Sequence, residues 1–234
     1  MDVPNEYGLD VSCNLGSLDI HKATQSVNFE ELVDTSMQLL TNVSEMTYIK
    51  NVPSVAKANE LMHSVGLGVM NLHGHLVQSN LLYGSDESIQ FIDYFMEALN
   101  FYSLKASMEI AKKKNKTFYG FEHSEYANGH YFDQYVNKMD VEPSEKVKQA
   151  LGNVPVITAD MWKELKVQVQ EHGVYNAYRL AVAPTGSISY IRSCTASMAP
   201  ITEKVEIRDY ADSRTIYPMP YMTNENKHLY VEAY

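Results

Sequence analysis

A chain of 234 residues with 45% apolar content can bury one sizeable core, which sets aside the disordered and fibrous classes. Its 29 acidic against 19 basic side chains give a formal charge of −10, a field that repels phosphate backbones. Nucleic acid is therefore not an expected partner, and any bound phosphate must be held by local amides and hydroxyls. Two cysteines cannot build a disulfide framework, no apolar run approaches the roughly 20 residues of a membrane span, and the start MDVPNEYGLD is not a signal peptide. The expectation is a cytoplasmic protein with no membrane contact.

No repeat, low-complexity tract or Pro/Gly-rich linker interrupts the chain, so residues 1–234 read as one structural unit. Asn28 is placed to cap a helix over 29–49, in which Phe29, Leu32, Val33, Leu39, Leu40, Val43 and Met46 recur at helical spacing. Pro53 suits the first turn of a second helix running to about Gly66. Gly66 and Gly68 break that pattern, and a mostly apolar segment over 69–82 follows. Ser85 with Asp86 caps a long helix ending at Lys114, where lysines complement the helix dipole. The aromatic, polar stretch 115–152 predicts loops with short helices.

Asp160 is the expected cap of a helix reaching Gly173, after which 177–183 has the composition of a buried strand. A PTGS turn follows at once, and another strand is expected at 204–208. The remainder, from Tyr217, reads as an irregular aromatic loop entering a helix that has scarcely begun, as though the chain were cut short. The whole is helix-rich α/β, with a strand whose carboxyl end meets a glycine turn, the usual ligand position in such folds.

That turn, Pro184, Thr185, Gly186, Ser187, Ile188 and Ser189, offers several N–H and O–H donors in the manner of an anion nest. It lacks the Gly-Lys-Ser/Thr signature of a P-loop, and an ordinary strand-ending turn is the alternative reading. Cys13 lies in an apolar-alternating stretch beside Asn14 and Ser17, consistent with a strand edge facing a cavity, whereas Cys194 has no partner at redox spacing and reads as a half-buried thiol. His73 and His75, two apart on a helix, project about 200° from one another and cannot share an ion, so no metal is expected in this chain. The 17 tyrosines include no adjacent pair.

The segments CNLGSLDI from Cys13, GLGVMNLHGHL from Gly66 and APTGSISYI from Ala183 together resemble the large, catalytic subunit of class Ib ribonucleotide reductase. SLKASMEIAK, EHGVYNAYRLAVAPTGS and YPMPYMTNEN extend the resemblance in the family's order over nearly the whole chain. It implies part of a ten-stranded α/β barrel, incomplete at both ends. Cys13 is then the later-positioned member of the redox cysteine pair. Pro184 to Ser189 becomes the substrate-diphosphate loop, with the amides of Gly186, Ser187 and Ile188 and the hydroxyls of Thr185, Ser187 and Ser189 as donors.

The implied substrate is a ribonucleoside diphosphate, reduced by radical chemistry to its deoxy form. The implied partners are the remaining segments of the large subunit, a small subunit whose dimetal site generates the radical, and an external thiol reductant such as a thioredoxin- or glutaredoxin-like protein. The chain itself carries no cofactor in this reading. The Asn-x-Cys-x-Glu motif whose cysteine becomes the thiyl radical is absent from the 234 residues, as are the first redox cysteine, the effector region, the adjacent tyrosine pair and the cysteine tail. No turnover by the chain alone is therefore expected. A non-catalytic remnant or interaction module of the same fold is the main rival, and an unrelated phosphate-binding α/β protein a further one.

Overall fold

The computed structural model describes residues 8–12, 14–47, 51–210 and 212–233, with the backbone alone for 208 and 210. Its centre is a parallel pair of strands, β1 (Asn14–Asp19) and β2 (Val65–Met70), in register from Asn14 opposite Val65 to Asp19 opposite Met70. Parallel neighbours need a crossover, and three helices supply it: α1 (Ile20–Ala23), α2 (Phe29–Met46) and α3 (Pro53–Met62). Asn28 caps α2 as expected, its side chain accepting from the Glu31 N–H at 3.1 Å. The expected end of this helix falls at 48–50, outside the described residues.

The second helix is shorter than its sequence suggests. It stops at Met62 because His63 turns left-handed at φ 46°, and Val65 then begins a strand. Gly66 and Gly68, taken from the sequence as breakers, lie inside that strand, all six residues of which are buried. Close approach explains the second glycine: a Cβ at residue 68 would stand 2.0 Å from the Ala181 carbonyl oxygen. The apolar stretch 69–82 is accordingly divided between the end of β2 and α4 (Leu72–Gln78).

The strand expected at 177–183 is present only in part. The Val65 and Leu67 N–H groups donate to Tyr178 O and Arg179 O at 3.0 and 2.8 Å, and the Ala181 N–H donates to Leu67 O at 3.1 Å. Pairing reduces to a single bridge, Leu67 with Leu180, since Val182 turns outward and Pro184 has no N–H to continue the ladder. The segment thus lies on the far side of β2 from β1.

Helix α2 packs directly on both strands, and the long helix α5 (Asp86–Lys114) packs on α2. Ser85 accepts from the Ser88 N–H, three lysines occupy the last turn, and left-handed Asn115 ends the helix. The stretch 115–152 forms short helices as expected, among them α6 (Glu125–Asn128), α7 (Asp133–Val136) and α8 (Glu145–Leu151). Helix α9 (Ala159–His172) is capped by Thr158, not Asp160; the Thr158 hydroxyl accepts from the Met161 N–H, while Asp160 sits in the first turn and pairs with Lys163. Phe29, Phe91, Phe95, Phe132 and Trp162 are fully buried where these helices meet, and the Trp162 indole donates to Glu97 at 2.8 Å.

Beyond the turn at residue 184 come α10 (Gly186–Arg192) and an antiparallel hairpin of β3 (Val205–Tyr210) and β4 (Ser213–Pro218). The first strand covers the expected one at 204–208. The second occupies the start of what the sequence suggests is loop, and the expected C-terminal helix is one 3-10 turn at Lys227–Leu229.

Candidate anion site at the carboxyl edge of the ladder

Parallel strands bring their carboxyl ends to one edge, and here that edge carries a polar network. Asp19 ends β1, Asn71 follows β2, and the turn at residues 184–189 follows the third segment. Asn71 is fully buried and left-handed at φ 71°. Its amide donates to Asp19 Oδ1 at 2.8 Å and to the Tyr221 hydroxyl at 3.4 Å, while its Oδ1 accepts from the Thr195 N–H at 3.2 Å. Asp19 Oδ2 in turn faces Arg192 Nε at 3.3 Å, in the last turn of α10.

The turn opens with Thr185 left-handed at φ 52°, its hydroxyl oxygen accepting from the Ser197 N–H at 2.7 Å. Within α10 the Ser189 N–H is bonded to Thr185 O at 3.0 Å, so the amides of Gly186, Ser187 and Ile188 precede the first closed turn and have no intrahelical acceptor. Three N–H groups in this position are a candidate donor set for an anion. Of the three hydroxyls expected to help, only that of Ser187 is exposed and without a partner among the described residues. Thr185 uses its oxygen to hold Ser197, and buried Ser189 donates to Gly186 O at 3.0 Å. A Cβ placed on Gly186 would meet nothing within 4 Å, so this position is open to an occupant.

The turn borders a cleft of about 570 Å³ whose opposite wall is Tyr217, Pro218, Met219 and Pro220 of the hairpin and the residues after it. Among the residues whose side chains are described, no lysine or arginine lines it, and a hydrogen bond from the Tyr190 hydroxyl to Glu206 ties α10 to β3 beside it. Cys194 also lines the cleft. Burial, reinforced by Asp19, pushes its thiol up to about 12, so it remains protonated and is a packing residue, more deeply buried than its sequence suggests.

Cys13 lies outside the described residues. Its neighbour Asn14 opens β1 at the amino edge of the ladder, with its side-chain nitrogen buried and unpartnered. His73 and His75 face different partners. His73 Nδ1 accepts from the Ile201 N–H at 3.2 Å and Nε2 lies 3.3 Å from Leu229 O, whereas His75 Nε2 donates to Ala150 O at 3.1 Å and Nδ1 meets His21 Nδ1 at 3.2 Å. Burial lowers the pKa of both, that of His75 to about 4. Among the described residues no group of three or more His, Cys, Asp or Glu is placed to hold a metal, and no helix is long and apolar enough to cross a membrane.

Sequence reasoning missed Asp19, Asn71, Thr195 and the His21–His75 pair. Their partners lie 50 to more than 120 residues away in the chain, and no local spacing reports such contacts.

A glycine-opened helix start at the carboxyl edge of a parallel ladder is shared by many enzymes, so comparison with known proteins decides the family. Residues 3–234 match the family described as ribonucleotide reductase, barrel domain. The chain belongs to that family. It is 48% identical over 234 residues to the ribonucleoside-diphosphate reductase subunit alpha of Bacillus subtilis (strain 168), covering all of this chain and 33% of that protein. Identity is 45% to the ribonucleoside-diphosphate reductase NrdEB subunit alpha of the same strain, over all of this chain and 22% of that protein. It is 40% to the subunit alpha of Mycoplasma pneumoniae, over 95% of this chain and 32% of that protein. The chain thus spans a third or less of these curated relatives. The helix-rich piece of an α/β barrel expected from the sequence agrees with this reductase barrel assignment.

Proposed function

We propose that this chain supplies the substrate-diphosphate turn and one redox sulfur, Cys13, to the catalytic barrel of a class Ib ribonucleotide reductase large subunit in the cytoplasm. The reaction is reduction of a ribonucleoside diphosphate to the deoxyribonucleoside diphosphate. The observation that carries this reading is the trio of amides at Gly186, Ser187 and Ile188 without a helical acceptor, beside a cleft that Gly186 and Ser187 line and in which no described side chain is cationic. Fixed peptide dipoles hold a pyrophosphate without a cationic field, which reconciles a phosphate ligand with a formal charge of −10.

In this reading the ribose of a nucleotide held there is presented to Cys13, which in the sequence immediately precedes β1. Positioning of this kind is where rate is gained, because the ribose is presented to the thiols without a search. The Cys13 thiol and a second thiol from another large-subunit segment become a disulfide as the ribose 2′-hydroxyl leaves as water, and two electrons pass to the sugar. An external thiol reductant, thioredoxin- or glutaredoxin-like, restores the pair. The small subunit, through its dimetal centre, supplies the radical that begins each turnover.

Calorimetric titration of pyrophosphate into the chain, co-expressed with the remaining large-subunit segments, tests the turn. Binding heat is expected with the wild-type sequence and not with Gly186→Ala. Equal heats from the two proteins would remove the turn from the diphosphate site. No heat from either would favour the non-catalytic remnant. With only a small subunit and reductant added, the chain alone is expected to form no deoxynucleotide; turnover by it would refute the need for the absent Asn-x-Cys-x-Glu cysteine.

A further inference from the structure

We propose that Asn71 is the positioning residue of the anion turn, setting the direction of the three α10 amides without touching the ligand. The inference rests on the diphosphate reading of that turn. It begins from two backbone conformations that side chains do not favour. Thr185 at φ 52° and Asn71 at φ 71° both lie in the left-handed region, which a β-branched residue such as threonine holds only when its surroundings enforce it. The enforcing contact on Thr185 is the Ser197 N–H against its hydroxyl oxygen at 2.7 Å.

Ser197 is itself held from Asn71. Two residues before it, Thr195 is gripped through three bonds: the Asn71 N–H donates to Thr195 O at 2.9 Å, the Thr195 N–H donates to Asn71 Oδ1 at 3.2 Å, and the Thr195 hydroxyl reaches the same oxygen at 3.3 Å. The Thr195 hydroxyl oxygen also accepts from the Gly74 N–H at 3.1 Å. Gly74 is required beside this amide, since a Cβ there would lie 2.2 Å from Asn71 Oδ1. At the other end of α10, Arg192 is referred to the same amide through Asp19, which takes the Asn71 Nδ2–H on one oxygen and faces Arg192 with the other.

Both ends of the short helix are therefore fixed to one buried carboxamide. A left-handed position alone calls for glycine. An asparagine whose amide is shared among the end of β1, the segment after α10 and Tyr221 does something glycine cannot: it registers the turn against the ladder. A small rotation of α10 re-aims all three amides together, and misplacement by about 1 Å can cost about a hundredfold in a reaction that depends on orientation.

The test uses the chain co-expressed with the remaining large-subunit segments. Asn71→Gly keeps the backbone conformation accessible and removes the amide; Thr195→Val removes the hydroxyl at nearly constant shape, and Thr195→Ser restores it. Amide hydrogen exchange at Ser197 and Ser189, and pyrophosphate affinity by calorimetry, are measured on each. Asn71→Gly and Thr195→Val are expected to speed exchange at these two amides and weaken pyrophosphate binding, each by about tenfold or more, while amides of α5 and α9 keep their protection. Thr195→Ser is expected to stay close to wild type in both readouts.

Unchanged exchange at Ser197 in Asn71→Gly overturns the proposal, as does pyrophosphate affinity that survives the exchange increase. Loss of protection across α5 and α9 as well assigns Asn71 to general stability and also overturns it. If the wild-type complex takes up no pyrophosphate while Asn71→Gly still frees Ser197, the diphosphate reading fails and the hold of Asn71 on the turn stands.

Discussion

Acidification should unfold this protein in part through His75. The imidazole is 3% exposed, donates through Nε2 to Ala150 O, packs against the Phe91 ring, and meets His21 Nδ1 with its other nitrogen. Burial first, and then the His21 charge, lowers its pKa from 6.5 to about 4, so the fold accepts only the neutral ring. A base whose folded pKa is depressed stabilises the protein fully above its unfolded value and loses that contribution as pH falls toward the folded value. The window is therefore pH 6.5 down to about 4. The linkage amounts to about 3 kcal/mol in all, of which about 2 kcal/mol is lost between pH 7 and pH 5.

Urea unfolding of wild type and His75→Gln at pH 7, 6 and 5 isolates the effect, because the carboxylates and most of the other histidines contribute to both proteins. Wild type should lose about 2 kcal/mol more than the variant over this range. Parallel losses in the two proteins would refute the assignment of a neutral, buried His75.

Three further outcomes follow from particular contacts. Gly68→Ala should destabilise by about 1–3 kcal/mol in chemical denaturation, because its Cβ meets backbone and not a movable side chain; unchanged stability would mean that the segment at 177–183 does not pass this close. Gly186→Ala should leave stability unchanged or raise it by up to about 1 kcal/mol, since its Cβ enters open space at a helix start, and a large loss in a thermal melt would show the glycine to be structural. In a Cys13→Ser background, Cys194 should react with a thiol-specific reagent at pH 8 only upon unfolding, because burial holds it protonated; fast labelling of native protein would contradict this.

The sequence was most readable where one residue acts on its own neighbours. Asn28 and Ser85 cap the helices expected of them, because a cap is a bond over three residues and needs no tertiary information. The same locality misled at Asp160, where Thr158, two residues earlier, offered an equally good hydroxyl and took the role. Strand β2 was hidden because Gly66 and Gly68 lower strand propensity, and Gly68 answers to Ala181, more than a hundred residues away. For the site, the segment 184–189 reads from the sequence as a strand-ending turn, whereas from Gly186 onward it is the start of α10. That Thr185 and Ser189 spend their oxygens within the protein was not legible, since Ser197 and the helix's own carbonyl become their partners only on folding.

The buried asparagine owes its network to where the strands end. At the carboxyl edge of the ladder β1 ends in Asp19 and β2 is followed by Asn71, each leading directly into a short helix, and both side chains are buried. Their hydrogen bonds must therefore be made with one another and with the segment after α10. A network closed in this way has little freedom to relax, which is the basis of the positioning role proposed for Asn71. Arg192 faces Asp19 in this network. In the reading proposed for the turn, peptide dipoles are the donors to the diphosphate, and their aim is the property on which its binding would depend.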